Sequence, residues 1–147
     1  MMINTMKTAM IIASDAGART AGIIREELGK EVDLFSVSER SGCVRIDSIT
    51  DFTLRHFGDY EAFVFIGAMG ICVRAIAPCV TSKYADPAVV NVDATGHFVV
   101  SVLAGHVGGA NALTERLARI LGAQPVVTTQ SDNTGLWALD LLGKENG

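Results

Sequence analysis

The chain has 147 residues, of which 49% are hydrophobic and 6% aromatic, and it carries a formal net charge of −4. This length suits one domain with a sizeable core, and an acidic balance without a basic run argues against a nucleic-acid-binding protein. No apolar stretch approaches the ~20 residues of a membrane-spanning helix, and the first residues lack the pattern of a signal peptide. We therefore expect a globular protein without a membrane partner.

Cysteine and histidine placement predicts the compartment and the metal content. Cys43, Cys72 and Cys79 form no C-x-x-C pair, so reduced thiols in a cytoplasmic protein are the simplest interpretation. His56 and His97 lack acidic companions at ligand spacing. We therefore expect no metal bound by the protein itself.

Apolar runs and helical periodicities alternate along the chain. The predicted strands cover residues 7–14, 32–37, 62–66, 88–92, 98–103 and 125–129. The predicted helices cover residues 18–28, 49–57, 71–77, 110–121 and 137–142, and the polar residues 38–48 are predicted as a loop. The alternation predicts an α/β domain of three layers with a mainly parallel sheet. The tight turn at 93–96 predicts one antiparallel hairpin.

Ligands of such sheets bind beyond the carboxyl ends of the parallel strands. This rule places the turns after Ser14, Ile66, Leu103 and Thr129 along one edge of the sheet, if their strands are parallel neighbours.

The central candidate site is a glycine-rich turn between a predicted strand and a predicted helix, formed by Gly105, Gly108, Gly109 and Asn111. Glycines let a ligand approach the backbone, and free N–H groups at a helix start favour an anion. His106 lies within this turn and is its pH-sensitive group. The alternative is a plain connection with His106 hydrogen-bonded to the backbone. A nucleotide-binding module is disfavoured because the turn matches no phosphate-loop or dinucleotide fingerprint.

A second turn, at residues 67–74, repeats the same arrangement. It contains Gly70, and Arg74 follows one turn into the predicted helix, where it could clamp a carboxylate or be a solvated surface arginine. Lys83 could bind an anionic group. Asp86 precedes a proline, and the favoured interpretation is that it begins a turn.

Three polar residues lie at or just after the ends of other predicted strands. Asp93 is either an acid or base or the first residue of a tight turn. Thr129 and Asp132 could hydrogen-bond a polar ligand, and Asp132 could instead cap the next helix. A triad of Ser101, His106 and Asp132 is disfavoured because Ser101 lies inside an apolar strand without a nucleophile elbow.

Several stretches together resemble the CbiG family, the cobalt-precorrin-5A hydrolases of cobalamin biosynthesis. These stretches are residues 70–78, 82–90, 92–93, Gly96, 105–111 and 128–132. The resemblance covers most of residues 60–142 and is weaker over the first 58. Gln130 and Ser131 stand where the family usually has Ala-Thr, and the family's further C-terminal domain is absent. We therefore expect residues 1–147 to be a single domain matching the family's N-terminal and middle part, as a fragment or as one section of a longer fusion.

The resemblance implies a hydrolase of anaerobic corrin-ring synthesis. Its substrate is a cobalt-bearing tetrapyrrole with a δ-lactone and many carboxylates, and it releases acetaldehyde to give cobalt-precorrin-5B. The cobalt arrives in the substrate, so no cofactor is implied.

For the mechanism, the hypothesis is that His106 or Asp93 activates water while N–H groups of residues 105–109 stabilise the oxyanion. Arg74 and Lys83 would hold substrate carboxylates. The competing hypothesis is a non-catalytic, tetrapyrrole-binding part of a larger protein. A homo-oligomer is left open.

Overall fold

The computed structural model describes residues 6–105 and 108–129, which form a seven-stranded sheet flanked by helices. The strands are β1 (Thr8–Ile12), β2 (Val32–Ser36), β3 (Val44–Arg45), β4 (Ala62–Ile66), β5 (Ala88–Val92), β6 (Phe98–Leu103) and β7 (Gln124–Val126). The helices are α1 (Asp15–Leu28), α2 (Ile49–His56), α3 (Met69–Ile76) and α4 (Ala110–Leu121). The predicted α/β fold is confirmed. The helix predicted at residues 137–142 lies outside the described residues.

The strand order is β3-β2-β1-β4-β5-β6-β7. The first five strands in this order are parallel, β6 runs antiparallel to β5, and β7 runs parallel to β6. We call the edge where β1, β4 and β5 end the carboxyl edge, and the edge where they begin the amino edge. Because β6 and β7 run in the opposite direction, they end at the amino edge.

Helices cover both faces of the sheet, which gives the predicted three layers. On one face, α1 and α4 contribute Ile24 and Leu117 to a cluster with strand residues such as Val64. On the other face, α2 and α3 pack on a second cluster, in which Cys72 of α3 joins Phe63 of β4. The apolar runs of the central strands are buried on both sides, as is usual for parallel strands covered by helices.

Capping side chains determine where two helices begin. The Ser14 hydroxyl accepts a hydrogen bond from Gly17 N at 3.0 Å, so α1 begins at Asp15 rather than at the predicted residue 18. Ser48 caps α2 in the same way, with Asp51 N at 3.1 Å. Gly122 closes α4 in the left-handed conformation, as predicted.

The predicted loop at residues 38–48 contains the short edge strand β3 and is tied to the body of the protein. Arg40 donates from Nε to the Ser36 hydroxyl at 3.0 Å and pairs through Nη1 with Asp15 at 2.5 Å. This contact fastens the loop over the start of α1. β7 is shorter than its predicted range and contains Pro125, which an edge strand tolerates.

Two further predictions concern single properties of the chain. Cys43, Cys72 and Cys79 are free thiols. Within residues 6–105 and 108–129, none of the helices has the length and apolar character needed to cross a bilayer.

Candidate functional site

The two glycine turns lie at opposite edges of the sheet. The turn after β4 is at the carboxyl edge, whereas the turn after β6 is at the amino edge because β6 runs against β5. Gly109 confirms this placement, since a Cβ on it would lie 3.1 Å from Cε of Met6, the residue two positions before β1. The prediction that the turns after Leu103 and Thr129 share one edge with those after Ser14 and Ile66 is therefore wrong.

The turn at the amino edge is closed by glycines that leave no room for a side chain. A Cβ on Gly105 would lie 2.6 Å from Asn111 Oδ1 and 2.8 Å from Thr129 Cγ2. A Cβ on Gly108 would lie 2.6 Å from that of Ala104. In the sequence, His106 lies between these two glycines. It is outside the described residues, so the structure gives the positions of Gly105 and Gly108 and not that of His106.

A chain of partly buried polar side chains supports this turn. The Ser101 hydroxyl donates to Asn111 Oδ1 at 2.7 Å, and Asn111 Nδ2 donates to the Thr129 hydroxyl at 2.8 Å. These bonds join β6, the first turn of α4 and the segment after β7. Ser101 therefore has a supporting role, which agrees with the disfavoured triad, while Asp132 lies outside the described residues.

The start of α4 differs from the predicted anion site. Ala110 N donates to Ala104 O at 3.2 Å, and Asn111 N donates to Gly105 O at 2.9 Å. These two N–H groups therefore bond within the turn and do not point to a ligand. Ala104 itself has φ +57°, a left-handed conformation that costs about 1–3 kcal/mol outside glycine. Such strain is typical of functional turns held by their surroundings.

Lys83 lies at this same amino edge, in the loop between α3 and β5. Asp86 closes the loop, because its carboxylate accepts from Thr81 N and the Thr81 hydroxyl, both at 2.9 Å, and from Ser82 N at 3.1 Å. Asp86 is buried, and the interpretation of Asp86 as a turn residue is confirmed. Lys83 is exposed above the closed loop.

Gly70 and Arg74 lie on the other side of the molecule. A Cβ on Gly70 would lie 3.4 Å from Arg74 Nη1, so the guanidinium folds back over the first turn of α3. Both residues are exposed. The structure thus separates Arg74 from the turn that contains His106 and brings Lys83 to that turn's edge.

Sequence reasoning missed Asn91, a polar residue inside the apolar strand β5. Asn91 is 4% exposed, and its Nδ2 donates to Gly67 O at 3.3 Å. Its Oδ1 is buried and forms no hydrogen bond among the described residues. The sequence signal was a single amide residue in an otherwise apolar strand. In the structure, the hydrogen bond from this amide to Gly67 O anchors the turn before α3 at the carboxyl edge.

Asp93 lies in the hairpin turn between β5 and β6, also at the carboxyl edge. Its Oδ1 accepts from His97 N at 2.7 Å and from Phe98 N at 2.6 Å, and its Oδ2 accepts from the Thr95 hydroxyl at 2.7 Å. Partial burial raises the pKa of Asp93, but these hydrogen bonds outweigh it and leave the pKa below its ordinary value of 3.8. The geometry favours the turn role over that of a base at neutral pH.

Asp93→Asn is expected to reduce the loss in free energy of unfolding that the parent chain shows as the pH is lowered. Because the folded-state pKa of Asp93 is lowered, its contribution is complete above the unfolded value of 3.8 and is lost as the pH falls below it. Urea unfolding of both proteins from neutral pH down to about pH 2 measures the difference. Asp47→Asn is the control, since Asp47 is exposed and lies 3.9 Å from Arg45. Equal acid slopes for Asp93→Asn and the parent would contradict the assignment.

The fold and the fixed glycine turn define a three-layer α/β domain with a candidate small-molecule site at the amino edge. The family model described as Cobalamin synthesis G N-terminal matches residues 51–132. This range covers more than half of the chain and includes the glycine turn, so the chain belongs to this family, and the resemblance seen in the sequence is confirmed.

Individual relatives agree with this membership. The chain is 56% identical over 86 residues to a cobalt-precorrin-5A hydrolase of Salmonella typhimurium, which covers 58% of this chain and 24% of the relative. It is 47% identical over 91 residues to a cobalt-precorrin-5A hydrolase of Priestia megaterium, covering 62% of this chain and 24% of the relative. The chain thus spans about a quarter of the length of these two curated relatives.

A solved structure shows the same fold. It is described as a cobalamin biosynthesis protein G homolog from Sulfolobus solfataricus and matches with a TM-score of 0.69 at 23% identity. The match covers 97% of this chain and 49% of that chain.

Proposed function

We propose that this chain takes part in opening the δ-lactone of cobalt-precorrin-5A in cobalamin biosynthesis. The observation that carries the proposal is the 56% identity to the Salmonella typhimurium cobalt-precorrin-5A hydrolase over 86 residues. The match of the family over residues 51–132 supports it, because that range contains the turn with His106 and the loop with Lys83.

The proposed reaction is a hydrolysis followed by a carbon–carbon cleavage. Water adds to the lactone carbonyl and the ester C–O bond breaks, which leaves a carboxylate and a hydroxyl on the bridging carbon. When that hydroxyl loses its proton, the bond between the bridging carbon and the macrocycle breaks and acetaldehyde leaves. The electron pair stays on the macrocycle, which takes up a proton. The sum is lactone plus water giving the macrocycle with a free carboxylate plus acetaldehyde, with no oxidant or reductant.

The amino edge provides the groups for the first step. His106, which lies between Gly105 and Gly108 in the sequence, would take the proton from the attacking water as a general base. Lys83 at the same edge would pair with a substrate carboxylate. We assign the base to His106 rather than Asp93, because Asp93 lies at the opposite edge and its carboxylate is bound within its own turn.

Arg74 and Gly70 lie at the carboxyl edge. A carboxylate bound there would be separate from the substrate groups that bind at the amino edge. In this proposal they do not touch the group that reacts at His106.

The test is to add cobalt-precorrin-5A to the 147-residue chain and follow both the absorption spectrum of the macrocycle and the acetaldehyde released. We expect a saturable spectral change with one acetaldehyde per substrate consumed, and the Salmonella typhimurium relative serves as the positive control. A spectral change without acetaldehyde would point to the non-catalytic, tetrapyrrole-binding alternative. The absence of both signals would overturn the proposal.

A further inference from the structure

Tyr84 is an aromatic side chain held out into solvent. It is 75% exposed, more than any other large hydrophobic side chain in the part of the chain that the structure describes. Exposing so much of a ring to water is unfavourable, and tyrosine is a residue type that binding surfaces use. The ring is not required by the core, so its exposure calls for another explanation.

Hydrogen bonds within the loop hold the backbone around Tyr84 in one conformation. Asp86 binds Thr81 and Ser82 at the start of the loop, as described above, and Tyr84 N donates to the Ser82 hydroxyl at 3.1 Å. A side chain on a closed loop loses little conformational entropy when it binds a ligand. The loop therefore presents the ring in a prepared position.

A positive charge accompanies the ring. Lys83 Nζ lies 5.4 Å from the centroid of the Tyr84 ring. Among the described residues, Lys83 forms no ion pair within 4.0 Å with a carboxylate. The Lys83 ammonium therefore lies over one face of the ring and has no carboxylate partner among the described residues.

Apolar residues extend this surface toward the sheet. Val80 is exposed, and Cys79, Val102 and Leu103 are partly buried hydrophobic residues on the face covered by α3. Leu103 pairs with Val89 of β5, so the end of β6 lies beside the strand that the loop enters. Apolar residues of the Tyr84 loop and of the end of β6 therefore lie at the same edge of the sheet as the glycine turn.

From these contacts we infer that Lys83 and Tyr84 form a binding arm for a planar, conjugated ligand with peripheral carboxylates. The Tyr84 ring stacks on the face of the macrocycle, and the Lys83 ammonium pairs with a carboxylate at its rim. The inference rests on the proposed function, which places a tetrapyrrole at this edge. The Tyr84 loop enters β5 and the glycine turn follows its neighbour β6. Adjacent strands are about 4.8 Å apart, so one macrocycle can extend from the arm toward Gly105.

Uroporphyrin, a water-soluble tetrapyrrole with peripheral carboxylates, is the probe for the arm. We expect its fluorescence to be quenched on binding to the 147-residue chain. Tyr84→Ala should raise the Kd about threefold to tenfold, which matches the strength of an aromatic pair, whereas Tyr84→Phe should keep the parental Kd. Lys83→Gln should weaken binding and reduce its salt dependence. With cobalt-precorrin-5A as substrate, Tyr84→Ala should raise KM and leave kcat unchanged.

Phe98→Ala is the matched control, because Phe98 is an aromatic residue that is 53% exposed at the carboxyl edge. It should bind uroporphyrin as the parent chain does. The inference is overturned if the parent chain does not bind uroporphyrin, if Tyr84→Ala binds it as tightly as the parent, or if Phe98→Ala weakens binding equally. It is also overturned if Tyr84→Ala alters the sedimentation of the chain and not its Kd, since the ring would then contact a second copy.

The two proposals fail in different ways. Uroporphyrin binding that depends on Tyr84, without acetaldehyde release from cobalt-precorrin-5A, would support the binding arm and contradict the proposed hydrolase activity. Acetaldehyde release with an unchanged KM in Tyr84→Ala would keep the hydrolase and remove the arm.

Discussion

His106→Gln is expected to lower the rate of acetaldehyde release from cobalt-precorrin-5A by about 10²- to 10⁴-fold, the usual contribution of a general base. Glutamine is similar in size and polar, but it cannot take a proton from water at neutral pH. The flanking Gly105 and Gly108 are unchanged in this variant. The loss should therefore appear in kcat, with KM and the free energy of unfolding close to those of the parent chain.

The measurement is a steady-state acetaldehyde assay on the parent chain and two histidine variants. His97→Gln is the control, because His97 is exposed at the carboxyl edge and its Nδ1 lies 2.8 Å from the Thr95 hydroxyl. It should retain the parental rate. Full turnover by His106→Gln would show that another group activates water.

Gly108→Ala is expected to lower the free energy of unfolding by about 1–3 kcal/mol, the usual cost of forcing an extra methyl group into a packed site. The added Cβ would lie 2.6 Å from Ala104 Cβ and 2.9 Å from Ala104 O. Ala104 cannot easily move away, because its backbone is already at φ +57° and its carbonyl accepts from Ala110 N. The strain should spread to the turn that holds His106, so acetaldehyde release should fall as well.

Gly22→Ala is the matched control for chemical denaturation. Gly22 lies inside α1, and a Cβ there would meet nothing within 4 Å. Alanine is a better helix former than glycine, so this variant should gain about 0.5–1 kcal/mol. Gly108→Ala with parental stability would show that the turn has more room than the contacts with Ala104 allow.

Strands and helices with strong local signals were predictable from the sequence. β4, β5, β6 and α4 have the predicted bounds, because apolar runs of strand length lie between glycine, aspartate and proline residues, and the helix has a clear period and a glycine at its end. β3 was not predictable. Its two residues, Val44 and Arg45, are both exposed. A strand this short and exposed has no apolar alternation in its sequence that would predict it.

The site was predictable residue by residue but not in its arrangement. Gly105, Asn111 and Thr129 were each candidates, and the structure brings them into contact. Their contacts depend on how α4 packs against β6 and the segment after β7, which no local pattern encodes. The separation of the glycine turn from Arg74 follows from the direction of β6, which runs antiparallel to β5. The hairpin that reverses β6 is predictable from its short turn, and it places the turn after Leu103 at the amino edge.

The central position of β1 has a consequence for the order in which strand pairs can form during synthesis. β1 lies between β2 and β4, so it has one neighbour that follows closely along the chain and another that follows only after α2. By contrast, β5, β6 and β7 are neighbours both along the chain and in the sheet. Contacts between distant segments form more slowly than local ones. The centre of the sheet, where β1 contacts both β2 and β4, can therefore be completed only after β4 has been synthesised, whereas β6 can pair with β5 as soon as the short hairpin turn between them is made.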